Sequence, residues 1–380
     1  MAHALLSPSA AHRWLNCTAA PRLEENVPDA SSTFAQEGSL AHAYCAKALK
    51  EFIGISTEGE DAEIEELKDL YSGEMDEHVD TYKTIVLEKF NRARAVTPDA
   101  QLLVETTLDL QRFVPDAFGT ADAIIIADGT MEVIDFKYGK GVKVDATENP
   151  QMKIYALGAV QMFNFEYNIK NVKMTIVQPR IDNLSEYELT VGELITWASM
   201  VLVPKAQEAY SGKGEQKAGA WCQFCKVKAT CRALAGVAIS TAKEHNDPRL
   251  VTAEEMATLV LPNIELIKSW LKGVEDYTLE QALNGTHYNG FKLVKGRSIR
   301  KIADAAKVEE LLKEQGYDDA AIMKPAELKG ITDLEKTVGK KAFATLCGEY
   351  IVKPVGKPTL VPESDKRPEY NSAKEDFRDF

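Results

Sequence analysis

Between residues 35 and 53, Leu40, Ala43, Tyr44, Ala48, Leu49 and Phe52 recur at three- and four-residue spacing, which predicts an amphipathic helix. The acidic stretch that follows reads as a solvated helix or loop, and residues 79–96 as a second helix. The period then changes. Residues 101–110 (QLLVETTLDL), 122–127 (DAIIIA) and 131–136 (MEVIDF) read as strands, with the hairpin signal Asp128-Gly129 between the last two. Residues 150–163 return to a helical pattern, 171–178 to a strand and 189–211 to a helix. This order predicts an α/β core. A Gly- and Lys-rich link (211–220) leads to a cysteine cluster; beyond residue 245 the pattern is mainly helical, with one short basic strand, FKLVKGRSIRK. From Lys357 the chain is Pro- and charge-rich without periodicity, an extended tail. The expected divisions are residues 1–240, 241–356 and 357–380.

Of the 380 residues, 45% are hydrophobic and 27% charged, the balance of a globular rather than a disordered chain. No run approaches the roughly 20 apolar residues of a membrane helix. The start, MAHALLSPSAAHRW, lacks the basic-then-apolar order of a secretory signal, so the expected location is the cytoplasm. A net charge of −13 argues against nucleic acid as partner, because phosphate binding relies on Lys and Arg. Resolved along the chain, that argument fails. Residues 51–80 hold twelve acids against Lys68, a net −11, which leaves −2 for everything else.

The chemistry-bearing stretch is GTADAIIIADGTMEVIDFKYGKG, residues 119–141. Strand alternation puts Asp135 and Lys137 on one face and Phe136 on the other, and the tight hairpin brings Asp122 near Asp135. Two carboxylates and a lysine at the end of apolar strands suit a hard divalent cation, Mg²⁺ or Mn²⁺, that also meets substrate phosphate. The lysine would position or help deprotonate the attacking water, or steady charge on the phosphate.

Six cysteines occur, and Cys222, Cys225 and Cys231 form C-x2-C-x5-C. Without a secretory signal, such clustering favours metal over disulfides. Three thiolates need a fourth ligand, and no second C-x2-C completes a four-cysteine zinc site. Iron–sulfur clusters do take three clustered cysteines and a remote one. Cys17 is the candidate, with zinc in the same four thiolates as the alternative. Cys45 and Cys347 sit in helical patterns and read as buried small hydrophobes.

Residues 37–160 resemble the RecB-like branch of the PD-(D/E)xK nucleases: Glu37-Gly38 before His42, then Asp122, a hairpin, Asp135-Phe136-Lys137, and Gln151 with Tyr155 one turn apart. The resemblance implies a restriction-endonuclease-like core, a mixed sheet flanked by helices. It also implies that His42, Asp122, Asp135 and the Phe136 carbonyl ligate Mg²⁺ or Mn²⁺, that Lys137 serves the water, and that Gln151 and Tyr155 support the site or touch the DNA backbone. The second acid is Asp where many relatives carry Glu, which shortens its reach. Members such as the CRISPR-adaptation exonucleases and AddB-type subunits hold a [4Fe–4S] cluster on one N-terminal cysteine and a C-terminal C-x2-C-x5-C. Cys17, Cys222, Cys225 and Cys231 bracket the nuclease motifs in the same way, and the cluster would staple the two ends of the domain. The tail resembles those of phage-encoded proteins with this core. The function implied is a metal-dependent DNA exonuclease acting on single strands or ends in phage replication or recombination, in a bacterial host cytoplasm, alongside a single-strand-binding or recombination protein.

Basic positions survive locally: Lys140, Lys226, Lys228, Arg232, Lys292, Lys295 and Arg297 are candidate DNA contacts, and Phe224 and Trp221 offer stacking faces. Two other classes stay open, a non-catalytic DNA-binding or assembly subunit with the nuclease fold and a zinc-stabilised interaction module.

Overall fold

The computed structural model describes residues 4–28, 33–243 and 252–291. Lys292, Lys295, Arg297, Cys347 and the tail lie outside them.

The chain opens with two short helices, α1 (Ala11–Trp14) and α2 (Ala20–Glu24), then α3 (Thr33–Ile53), α4 (Glu58–Leu67) and α5 (Gly73–Val96). Three antiparallel strands follow, β1 (Gln101–Asp109), β2 (Phe118–Ala127) and β3 (Thr130–Phe136). Helix α6 (Pro150–Tyr167) carries the chain to β4 (Asn171–Gln178), which runs parallel to β3. A fifth strand, β5 (Asn183–Thr190), pairs antiparallel with β4. The result is a mixed α/β protein: one five-stranded sheet in the order β1-β2-β3-β4-β5 with helices on both faces.

One face packs on α6, α7 (Val191–Trp197) and α8 (Val203–Tyr210), together with Trp14 of α1. Leu108, Ile124, Ile126, Val133, Met174 and Ile176 fill that layer. The other face packs on α3 and α5 through Ala123, Ile125, Ile134, Phe136 and Val177. Helix α6 is buried all round its first three turns, which is why its apolar residues show no single stripe. A buried polar tie crosses the second layer: Lys89 of α5 meets Glu132 at 2.6 Å and also Glu186, while Thr175 donates to Glu132 at 2.5 Å. Beyond the sheet lie α9 (Arg232–Lys243), the single turn α10 (Ala253–Glu255) and α11 (Ile264–Leu283), which packs against α9 and the segment around Cys222.

The predicted helix over 189–211 needs correction. Residues 183–190 are the edge strand β5, and the helix starts at Val191, where Thr190 and Glu193 form a reciprocal cap. It then runs through a π turn (Ala198–Leu202) into α8. The second helix begins at Gly73 rather than 79, and β2 begins at Phe118 rather than 122. The acidic stretch is largely α4, which buries no residue and lies on α3 through Lys47–Asp61 and Lys50–Glu60, both at 2.5 Å. No helix among the described residues is long and apolar enough to cross a membrane.

Candidate active site

The site is built where β1, β2 and β3 share one row. The β1–β2 ladder pairs Val104 with Ala123 and Thr106 with Ala121, so Glu105 falls opposite Asp122. The β2–β3 ladder ends at Ala123↔Ile134, and one step further Asp122 falls opposite Asp135. Three carboxylates therefore line up across adjacent strands.

The alternation of the sheet inverts at this row. Leu102 and Val104 face the α3/α5 layer, but Leu108 faces α6; Ala123 and Ile125 face α3/α5, but Ala121 faces α6. At the inversion Glu105 has φ +48°, in the left-handed region that side-chain-bearing residues rarely adopt, at a cost of about 1–3 kcal/mol. The side chains of the row are thereby open to both helix layers.

From α3 comes His42. Leu40, Ala41, Cys45 and Leu49 bury that helix against the sheet, and Arg180 ties its start by an ion pair to Glu37 at 3.2 Å. His42 Nδ1 lies 3.4 Å from Asp122 Oδ1, and its ring stands edge-on to Phe136 at 5.2 Å. The other Asp122 oxygen, Oδ2, accepts the Phe136 backbone N–H at 2.7 Å. His42, Glu105 and Asp122 each offer a ligand atom, and those atoms lie within 4.8 Å of one another, a set fit for a metal ion.

From α6 come Gln151 and Tyr155. Asn149 caps that helix by accepting from the Gln151 and Met152 N–H groups, with Pro150 at the first position, which fixes Gln151 in the opening turn. Gln151 Nε2 donates to Asp135 Oδ1 at 3.1 Å and to the Tyr155 hydroxyl at 3.4 Å, and Gln151 Oε1 accepts from Lys137 Nζ at 3.1 Å. Lys137 Nζ is also 3.0 Å from Asp135 Oδ2. The Tyr155 ring occupies the space a Cβ would take on Gly119, 2.7 Å from that position, so only glycine fits there.

Charges at the site follow from this geometry. Burial pulls the His42 imidazole down, but the Asp122 charge and hydrogen bond, backed by Asp135 and Glu105, carry it up to about 9. Burial and the Asp122 charge push Glu105 up to about 7. Asp122 itself is held below the ordinary carboxylate range: burial opposes this, but His42 and the Phe136 N–H prevail. Asp135 is raised by burial and by Asp122, against the pull of Lys137. Burial lowers Lys137, yet Asp135 and Asp122 more than restore it, so the ammonium stays charged. It can orient a water or a phosphate, whereas removing the water's proton falls to another group.

The predicted residues thus meet, in two groups. Asp122 is with His42; Asp135 is with Lys137, Gln151 and Tyr155. Phe136 joins them through its backbone, with its ring in the core. Glu105 is the residue that sequence reasoning missed, and its one sequence signal is the acid inside the otherwise apolar and Thr-rich run of β1.

The four cysteines meet at a second place. Cys17, Cys222, Cys225 and Cys231 line one apolar cavity with Trp221, Val227 and Leu234. Backbone contacts bring Cys17 there: Ala19 N–H donates to Glu215 O at 3.2 Å, Glu215 N–H to Thr18 Oγ1 at 3.0 Å and Lys217 N–H to Cys17 Sγ at 3.4 Å. Gly214 makes this crossing possible, because a Cβ on it would stand 2.2 Å from the Thr18 carbonyl carbon. Arg13 and Glu24 pair at 2.9 Å, Arg13 donates to Phe224 O, and Lys226 N–H donates to Glu24 at 2.7 Å, closing the same clasp. Burial and Glu24 push the Cys225 thiol up to about 12. Cys45 is buried under the carboxylate row, its thiol raised by burial.

Of the candidate DNA contacts, Lys140 is exposed on the loop after Lys137, and Arg232 is exposed at the start of α9. Lys226 reaches Val27 O at 3.2 Å, and Lys228 reaches Gln223 O at 3.0 Å while its stem lies on Gly273. Phe224 is exposed, and Trp221 is half-buried on Cys17 and Ala20.

The fold and this site define a mixed α/β protein with a histidine–carboxylate–lysine centre at one row of its sheet. Residues 3–368 match the family described as "Protein of unknown function (DUF2800)", and the chain belongs to that family. A solved structure titled "Crystal structure of SSO0001" matches at 16% identity over 57% of this chain and 95% of that one, with a TM-score of 0.22.

Proposed function

We propose that this protein is a metal-dependent deoxyribonuclease of the RecB-like PD-(D/E)xK type, acting as an exonuclease on single strands or ends. The observation that carries the reading is the network at the row: Asp135 held by Lys137 and Gln151, beside Asp122 held by His42. Carboxylates beside an imidazole fit a hard divalent cation, as the His42, Glu105 and Asp122 ligand atoms within 4.8 Å of one another do here, and the charged lysine beside them fits a phosphate.

His42, Asp122 and Asp135 would hold Mg²⁺ or Mn²⁺, which acidifies bound water and draws charge from the phosphoryl oxygens. The chain's own groups do the rest. The Lys137 ammonium orients the attacking water and steadies negative charge on the phosphate. Gln151, bonded to both Lys137 and Asp135, keeps the two in register, and Tyr155 braces Gln151. Lys140, exposed on the adjoining loop, would be a contact for the DNA backbone.

The clasp would hold a [4Fe–4S] cluster on Cys17, Cys222, Cys225 and Cys231. What supports this over zinc is the arrangement of the cysteines along the chain. The sequence carries three clustered cysteines and a remote fourth, the pattern of an iron–sulfur cluster, and no second C-x2-C pair of the kind a four-cysteine zinc site usually offers. The cluster's part is structural, joining the N-terminal segment to the 220–231 segment; a redox step is not needed for hydrolysis.

The test is degradation of end-labelled DNA (single-stranded, duplex and branched) with Mg²⁺ or Mn²⁺. Loss in Asp135→Ala and Lys137→Ala supports the nuclease; unchanged activity in both overturns it. Brown protein with broad visible absorption and stoichiometric iron supports the cluster, and stoichiometric zinc without iron refutes it.

A further inference from the structure

We propose that the arch formed by residues 139–143, between Lys137 and α6, binds the sugar–phosphate backbone of a DNA strand, and that Gln178 and Asn183 are the positioning residues that hold it. The identity of the strand rests on the nuclease reading above; the binding of a polyanion does not.

Residues 137–149 join β3 to α6 without helix or strand. Connections of that length are uncommon in a compact domain, and most are functional or disordered. This one is bonded along its course. Gln178, at the end of β4, is 1% exposed, and its whole hydrogen-bonding capacity goes to the arch and its clamp. Its Nε2 donates to Gly139 O at 2.5 Å and to Val142 O at 2.8 Å. Its Oε1 accepts from the Val144 N–H at 3.1 Å and from Asn183 Nδ2 at 3.2 Å. Asn183 Nδ2 also donates to Val144 O at 2.8 Å. Alternate residues of β5 continue the tie: Ser185 Oγ accepts the Ala146 N–H at 2.9 Å, and the Tyr187 hydroxyl donates to Glu148. A buried amide spent wholly in this way fixes the shape of an exposed loop.

That shape presents positive charge on bare backbone. Residues 137–144, KYGKGVKV, hold three lysines and no acid. Lys140 and Lys143 are exposed. The acids that follow are already engaged: Asp145 accepts from Ser185 Oγ and the Thr147 N–H, and Glu148 pairs with Lys153. Chain length alone keeps the Lys140 Cα within about 11 Å of the Lys137 Cα, so one strand can meet both.

Gly139 and Gly141 flank Lys140. Neither has a left-handed backbone, and a Cβ on either would meet nothing within 4 Å among the described residues. Internal packing therefore gives no reason for glycine at these positions, whereas a ligand lying against the backbone does. Phosphate is such a ligand, because lysine ammonium groups and backbone N–H groups are its ordinary partners.

The experiment is fluorescence anisotropy of a labelled single-stranded oligothymidylate with the full-length protein in Ca²⁺, over a range of KCl, with the oligonucleotide checked on gels for cleavage. Lys140→Ala/Lys143→Ala is expected to bind about 10-fold more weakly, and to flatten the slope of log affinity against log salt by about 1.4, at about 0.7 per phosphate contact on a single strand. Gln178→Met removes no charge and is expected to weaken binding in wild type but to add little in the lysine double variant, because it acts through those lysines. Should Gln178→Met fail to fold, Asn183→Ala takes its place in both backgrounds. Wild type that does not bind, a lysine double variant with wild-type affinity and slope, or a Gln178 effect equal in both backgrounds overturns the proposal. The two readings fail separately. Lysine-dependent binding of an oligonucleotide that neither Mg²⁺ nor Mn²⁺ causes to be degraded leaves this proposal standing and removes the nuclease. Metal-dependent degradation with a KM indifferent to Lys140 and Lys143 does the reverse.

Discussion

The Phe136 backbone N–H donates to Asp122 Oδ2 at 2.7 Å, so the central carboxylate of the row is oriented by the strand that carries the Asp135–Lys137 pair. Both halves of the site are therefore set by one backbone segment, and perturbing that segment perturbs both.

Asp135 and Lys137 should separate catalysis from stability. Each removal is expected to cut DNA degradation by about 10²-fold or more. Thermal stability should move in opposite senses. Asp135→Asn relieves a buried carboxylate already raised by burial and Asp122, and should hold or raise the melting temperature. Lys137→Ala strands Asp135 without its cation and should lower it.

Gln151 is the linker between the two. Gln151→Ala should fold normally and lose up to about 10²-fold in rate, the scale of a misplaced catalytic group. Gln151→Glu sets a new carboxylate against Asp135 Oδ1 and should be the slower of the two at neutral pH, with the difference shrinking as pH falls.

The pH dependence of metal-free protein follows from two raised groups. Glu105 titrates at about 7 against an ordinary 4.5, and His42 at about 9 against 6.5. Each binds protons more tightly when folded, so its stabilisation is complete below the ordinary value and is lost as pH rises through the folded one. The Glu105 share disappears between 4.5 and 7 and the His42 share between 6.5 and 9. The melting temperature should fall across that range, less steeply in Glu105→Gln, and the rise produced by Mn²⁺ should grow with pH. Calorimetry at fixed ionic strength checks both; a flat profile would contradict the charge assignment.

A pair of glycines offers an internal control at the clasp. Gly214→Ala drives a methyl into the Thr18 backbone and should cost about 1–3 kcal/mol and reduce bound iron. Gly236→Ala, within α9 and with nothing within 4 Å of its Cβ, should stabilise by about 0.5–1 kcal/mol.

Much of this arrangement can be read from the chain. The α3 stripe, the Asp128-Gly129 hairpin and β4 over 171–178 are where periodicity puts them, because each buries a regular face. Strand β5 escapes for the opposite reason: as an edge strand it leaves Leu184 half exposed and alternates Ser, Glu and Tyr. The Thr190-x-x-Glu193 cap was nevertheless a legible signal that a helix starts after 190. Asp122, Asp135 and Lys137 are legible because hairpin register and strand alternation are short-range rules, whereas His42, Gln151 and Tyr155 enter the set only through the resemblance to the RecB-like nucleases. Glu105 is not legible, since its place depends on a backbone reversal within β1 that no residue type announces.

The clasp between Thr18–Ala19 and Glu215 has a consequence for synthesis. Trp14 of α1 can dock once α6 is made, and Arg22 of α2 once Tyr210 of α8 is made, but Cys17 and the Thr18–Ala19 backbone wait for the 214–231 segment, after the sheet and both its helix layers. A chain that terminates before Gly214 therefore carries every residue of the carboxylate row and the α6 and α8 partners of the amino-terminal helices, yet leaves Cys17 without the three cysteines it meets.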